Sequence, residues 1–126
     1  MSNNKIPIVT VHRGYKPYIK YNLELTSKNN TVFVIGSLDL KFLENEIQNV
    51  KYINIEEFSE FKDITFYKEY FENYSLYNDD FAWYCTERMF ILEKFMKKYK
   101  FSKVFHIDTD NVVLIDVNKL NFEKKV

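Results

Sequence analysis

Two aspartates one residue apart, Asp108 and Asp110, close the mostly apolar run 101–107. In an extended segment residues i and i+2 project to the same side, so both carboxylates can converge on one point. Anions held that close repel, and a hard divalent cation with oxygen ligands relieves the repulsion. A cation held by one or two carboxylates keeps open positions that a diphosphate can fill. The competing reading is a solvated turn, because Asp and Asn are common where strands end. Here the runs 104–107 and 112–115 are expected to bury both flanks of the pair, which favours a site.

Arg88 is the second unusual residue. The residues Phe81, Tyr84, Cys85, Leu92, Phe95, Met96 and Tyr99 recur at helical spacing, and Arg88 falls inside their stripe. A guanidinium on an apolar face needs an anion. That anion is Asp108, Asp110 or a bound diphosphate on one reading, and a structural partner such as Glu87 on the other. Lys94, Lys97, Lys98 and Lys100 gather instead at the end of the same segment, where they complement a helix dipole.

Further candidates sit where the first two strands are expected to stop, at His12-Arg13-Gly14 and Gly36-Ser37. Ligands of open α/β sheets bind outside the carboxyl ends of strands. Arg13 is placed to meet phosphate and Tyr15 to stack on a base, although both residues are also ordinary on a surface. His12 alone is more often structural than ligating. His106 shares its strand face with Asp108 one pleat deeper and reads as a hydrogen-bonded core histidine. Cys85, the single cysteine, excludes an internal disulfide and reads as a core thiol.

The elements that must position these residues follow from apolar runs and breakers. Strands are expected at residues 6–11, 31–35, 50–55, 101–107 and 112–116. Pro17 suits the first turn of a helix over 17–28, and residues 38–48 are weakly helical. An interrupted helical region over 56–74 offers Phe58, Phe61, Phe66, Tyr70 and Phe71 to the core. Asn78 or Asp79 can cap a long helix to about residue 99. Strands alternating with helices imply a single α/β domain over residues 1–126, Rossmann-like, with a mostly parallel sheet and flanking helices.

Composition narrows the partners. Eighteen basic and eighteen acidic residues cancel, so bulk charge gives no reason to expect nucleic acid or an anionic membrane as partner. No apolar stretch approaches the roughly 20 residues of a membrane span. With one cysteine and no apolar leader, a cytoplasmic location is expected. The abundance of Lys, Asn, Ile, Tyr and Phe reads as base composition, so scattered lysines carry no mechanistic weight.

Taken in order, the segments IPIVTVHRG (6–14), VFVIGS (32–37), CTERMFILE (85–93) and VFHIDTDNVVL (104–114) resemble the GT-A glycosyltransferases, the nucleotide-diphospho-sugar transferase superfamily. The last two segments carry the specific part of the likeness. The resemblance implies a truncated GT-A fold that binds a nucleoside-diphosphate sugar with Mn²⁺ or Mg²⁺. It implies that Asp110 coordinates the metal and diphosphate, with Asp108 at the ribose or in the metal's shell. Thr109 and Arg88 join the donor site, and His12, Arg13, Gly14, Gly36 and Ser37 line the nucleotide pocket. The family's acceptor-binding half has no counterpart in the sixteen residues after Asp110. Transfer by this chain alone is therefore not expected, and an exposed apolar surface is expected to favour self-association or a second polypeptide.

Two other readings compete. One is a non-catalytic binding remnant or half of a split protein. The other is a haloacid-dehalogenase-like phosphatase fragment, with Asp108 as nucleophile and Asp110 as acid/base, though its downstream motifs are missing. A calcium loop of the EF-hand type lacks its glycine and terminal glutamate.

Overall fold

The computed structural model describes residues 5–59 and 62–120. Its strands are β1 (Ile8–His12), β2 (Val32–Gly36), β3 (Val50–Asn54) and β4 (Phe105–His106). Its helices are α1 (Pro17–Thr26), α2 (Leu43–Glu46), α3 (Glu56–Ser59), α4 (Lys62–Glu69) and α5 (Asp79–Tyr99), with 3₁₀ turns at Leu38–Leu40 and Val117–Lys119. The four strands are all parallel, in the order β3-β2-β1-β4. The α/β class and parallel sheet expected from the sequence are therefore present. No helix among the described residues is long and apolar enough to cross a membrane.

Local chemistry explains the elements that matter for the site. β2 is buried at every position, as a central strand covered on both faces must be. Pro17 starts α1, where its missing N–H costs nothing. The Asn78 side chain accepts a bond from the Phe81 amide and caps α5, and Lys100, in the left-handed region at φ 60°, stops it. Side chains then alternate across the sheet. Ile8, Val32, Val34 and Val50 pack with Ile19 and Leu23 of α1, and Val9, Phe33, Ile35 and Ile53 pack with Trp83, Ile91, Leu92 and Phe95 of α5.

Six expectations are corrected. The strand over 101–107 shrinks to the two residues of β4, paired Ile8 to Phe105 and Val9 to His106. Phe101 instead turns inward to stack on Phe95 at 5.5 Å and meet Phe33 edge-on at 5.6 Å. Residues 112–116 form no strand. Side chains from the end of α1 bind their backbone: Thr26 Oγ1 accepts from Val113 N, Asn29 Nδ2 donates to the Leu114 carbonyl, and Asn30 Nδ2 donates to that of Ile115. Val112, Leu114 and Ile115 are consequently exposed, so the downstream flank of the aspartate pair is not buried.

The buried face of α5 is rotated from the expected stripe. It runs through Trp83, Glu87, Ile91, Leu92 and Phe95, while Phe81 and Tyr84 turn outward. In the preceding region Phe58 and Ile64 are buried and Phe71 is half-buried, but Phe66 and Tyr70 are exposed; Phe61 lies outside the described residues. His106 is no hydrogen-bonded core residue, because its Nε2 is buried without a partner among the described residues.

Candidate functional site

The strand order fixes where to look. β1 connects through α1 to β2 on one side and pairs with β4 on the other, so the sheet's topological switch point lies between β1 and β4. Side-by-side strands whose connections leave in opposite directions open a crevice at their carboxyl ends, where α/β proteins bind ligands. His12 ends β1, and Asp108-Thr109-Asp110 follow β4 at the same edge. Between them and α5 is a cleft of about 280 Å³, lined by His12, Arg13, Arg88, Asp108, Thr109 and Asp110 among others.

Parity sorts these side chains. Asp108 continues the face of His106 and Val9 towards α5, and the Arg88 guanidinium meets its Oδ1 at 2.5 Å. Thr109 continues the opposite face: it is buried, its Oγ1 lies 3.1 Å from His12 Nδ1, and its carbonyl accepts from Asn22 Nδ2 of α1 at 2.8 Å. The buried Thr109 thus anchors the turn and leaves the two exposed aspartates on its flanks. Desolvation lowers the His12 pKa, against the opposing pull of a backbone hydrogen bond at Gly14 and then of Asp39, Asp108 and Asp110. His106 is lowered likewise, by burial first and by the Arg88 charge second.

Arg13 is engaged from below. Its Nε and one terminal nitrogen donate to Glu87 Oε1 at 2.9 and 2.8 Å, and its guanidinium lies 4.9 Å from the centre of the Tyr84 ring. Glu87 is buried, so the pair fastens the β1 loop to α5. Gly14, Gly36 and Ser37 stand outside the cleft lining. Gly14 has φ 87°, a conformation glycine adopts without strain, and a Cβ on Gly36 would stand 2.5 Å from the His12 carbonyl oxygen. Ser37 Oγ accepts from Gly14 N at 2.7 Å and donates to Asp39 Oδ1 at 2.5 Å, while Tyr15 N donates to Asp39 Oδ2 at 2.9 Å. The Ser37 hydroxyl and then the Tyr15 amide hold the Asp39 carboxyl below the usual carboxylate range. Tyr15 packs edge-on against Phe42 at 5.0 Å.

Sequence reasoning missed Asp39, Asn22 and the Arg13–Glu87 fastening. Only Asp39 left a local signal, since Ser-x-Asp after a strand's glycine is a turn pattern. Cys85, expected in the core, is half-buried and lines the cleft.

The donor set limits the metal. Among the described residues no three or more His, Cys, Asp or Glu gather to hold an ion. Two exposed carboxylates remain, and Asp108 already gives an oxygen to Arg88. Such a set does not make a protein cage, but it fits a hard cation that takes most of its ligands from phosphate and water.

A larger cleft of about 440 Å³ opens at the strands' amino ends, lined by Lys5, Lys28, Lys51 and several asparagines. It holds no acidic pair and lies away from the switch point, so its size alone does not make it the site. No family model matches the chain, and neither a curated protein nor a solved structure matches it.

Proposed function

We propose that this chain is a glycosyltransferase-like protein that binds a nucleoside-diphosphate sugar with Mn²⁺ or Mg²⁺ at the switch-point cleft. The observation that carries the reading is the Arg88–Asp108 pair beside Asp110 at the carboxyl ends of β1 and β4. One cation and two carboxylates facing a single crevice suit a ligand that brings both negative charge and a metal. The parallel sheet and this placement support the GT-A arrangement that the sequence segments resemble.

Asp110, exposed and without an ion-pair partner among the described residues, would hold the cation, with Asp108 sharing it. When bound, the cation neutralises charge on the departing diphosphate. The chain's own residues do the rest. Arg88 presents N–H donors to a phosphate or sugar oxygen, exchanging its contact with Asp108 for the ligand's. His12 holds Thr109 and with it the turn between the aspartates. Arg13, held by Glu87, keeps the β1 loop against the cleft.

Calorimetry with Mn²⁺ and UDP or GDP on wild type and Asp110→Ala tests the reading. Binding in wild type that needs the cation, and weakens at least about tenfold in the variant, supports it. Equal affinity in the two proteins removes Asp110 from the metal site.

A further inference from the structure

The larger cleft, of about 440 Å³, opens where residues 5–7, 28–31 and 49–51 run side by side at the amino ends of β1, β2 and β3. Asparagines build its walls and spend their amides on backbone. Asn30, 6% exposed, donates to the Thr26 and Ile115 carbonyls and accepts from Val117 N. Asn118 accepts from Ile6 N and donates to the Ile6 carbonyl, and Asn49 donates to that of Ser27. The charged residues of the lining are Lys5, Lys28, Lys51 and Asp116. Asp116 is engaged by Asn118 N, which it caps. The three lysines are exposed, and none has a carboxylate partner among the described residues.

Helix-dipole compensation accounts for Lys28, which follows the last turn of α1. It does not account for Lys5 or Lys51, which end no helix. Lys51 is paired with Phe33 in the β2–β3 register, and its Nζ stands 5.6 Å from the centre of that ring. Three lysines and one aspartate leave the lining at a formal +2, in a chain whose charges sum to zero. A neutral polar ligand would compete for amides that the walls already use, whereas an anion meets uncommitted ammonium groups. The volume is more than one phosphate fills and lies within the range of small-ligand pockets.

We propose that this cleft binds a multivalent phosphate ligand, an inorganic polyphosphate or the phosphate chain of a nucleotide, through Lys5, Lys28 and Lys51 and without a metal. The rings in the lining are already in use: Phe101 stacks on Phe95 and meets Phe33 edge-on, and Phe33 is buried. The ligand is therefore held by its phosphates and not by a base. No residue lines both this cleft and the switch-point cleft, so the two sites stand or fall separately.

Calorimetry on the full chain, in buffer freed of divalent cations and at about 0.1 M NaCl, compares tripolyphosphate, ATP and adenosine. One-to-one binding of tripolyphosphate is expected, with ATP within about threefold, adenosine silent, and the same affinity in Asp110→Ala. Lys28→Gln with Lys51→Gln should weaken tripolyphosphate binding at least about tenfold, with little change in the unfolding midpoint because both side chains are exposed. Lys5→Gln, on another wall, should weaken it about threefold and serves as the test if the double variant fails to fold. Lys16→Gln with Lys41→Gln removes the same charge beyond the carboxyl ends of β1 and β2 and should leave the affinity unchanged. If tripolyphosphate binds while cation-dependent nucleotide binding fails in wild type, the donor reading falls and this site stands. Four outcomes overturn the site: tripolyphosphate does not bind, ATP alone binds, both double variants lose affinity equally, or Asp110→Ala abolishes the binding.

Discussion

Glu87 and Arg88 are neighbours on one helix, and each pairs with a residue at the end of a strand, yet the pairs differ. Glu87 is almost sealed, with 6% of its side chain exposed, and Arg13 reaches it at 2.8 Å while lying over the Tyr84 ring. Arg88 and Asp108 meet at 2.5 Å with 30% and 51% of their side chains in solvent. Burial separates the roles. An acid taken out of water must keep its partner, because an uncompensated buried charge is costly. An open pair is worth little to the fold and can exchange its partner for a ligand. A one-residue step along α5 therefore separates a sealed fastening from an open pair that is free to exchange its partner.

The largest effect should come from breaking the sealed pair. Arg13→Ala leaves the buried Glu87 carboxylate without its cation and should cost roughly 3 kcal/mol of stability, read from urea midpoints. A loss below about 1 kcal/mol would show that the pair behaves like a surface contact. Next, Asn30→Ala tests the buried amide that ties residues 115 and 117 to α1, with bonds of 2.8 and 3.0 Å. It should cost roughly 2 kcal/mol, since a buried hydrogen-bond partner is left unsatisfied. Arg88→Ala should lower stability by less than about 1 kcal/mol and yet abolish most nucleotide binding, which sharpens the contrast with Glu87. If it instead unfolds the protein, the open pair is a fastening after all.

The smallest effect concerns pH. Burial lowers the folded pKa of both His12 and His106 below 6.5. The unfolded chain then takes up protons first, so stability should fall as pH drops below about 6.5 and level off only beneath the folded values. Urea midpoints at pH 7.5 and 5.5 measure this. A His12→Gln, His106→Gln double variant should flatten that part of the profile.

Much of the frame was legible because local signals agreed with tertiary need. The runs around Val9 and Val34 are continuous and mostly β-branched, and they became strands, as did the shorter, interrupted run around Ile53; Asn78 was a capping residue and capped α5. The Arg88–Asp108 contact could be anticipated because strand parity and helical spacing both aimed at one crevice. The Arg13–Glu87 pair could not, because it joins residues 74 apart through packing that no local pattern encodes. Residues 112–116 misled for the opposite reason. They carry strand-like side chains, but their backbone groups go to Thr26, Asn29 and Asn30 instead of to a ladder. The rotation of α5 has a similar cause: Phe81 and Tyr84 serve the cleft wall, so Trp83 and Glu87 take the core face.

The central claim is that a divalent cation and a nucleoside diphosphate meet at Asp108 and Asp110. The most direct measurement is the loss of amide NMR signals on adding substoichiometric Mn²⁺ with UDP, since an unpaired-electron metal broadens nearby resonances. Signals of Arg88, Asp108, Thr109 and Asp110 should vanish first, those of Asn49 and Asn118 at the opposite end of the sheet should persist, and Asp110→Ala should restore the lost set. Uniform broadening, or selective loss at the amino ends of the strands, would contradict the account.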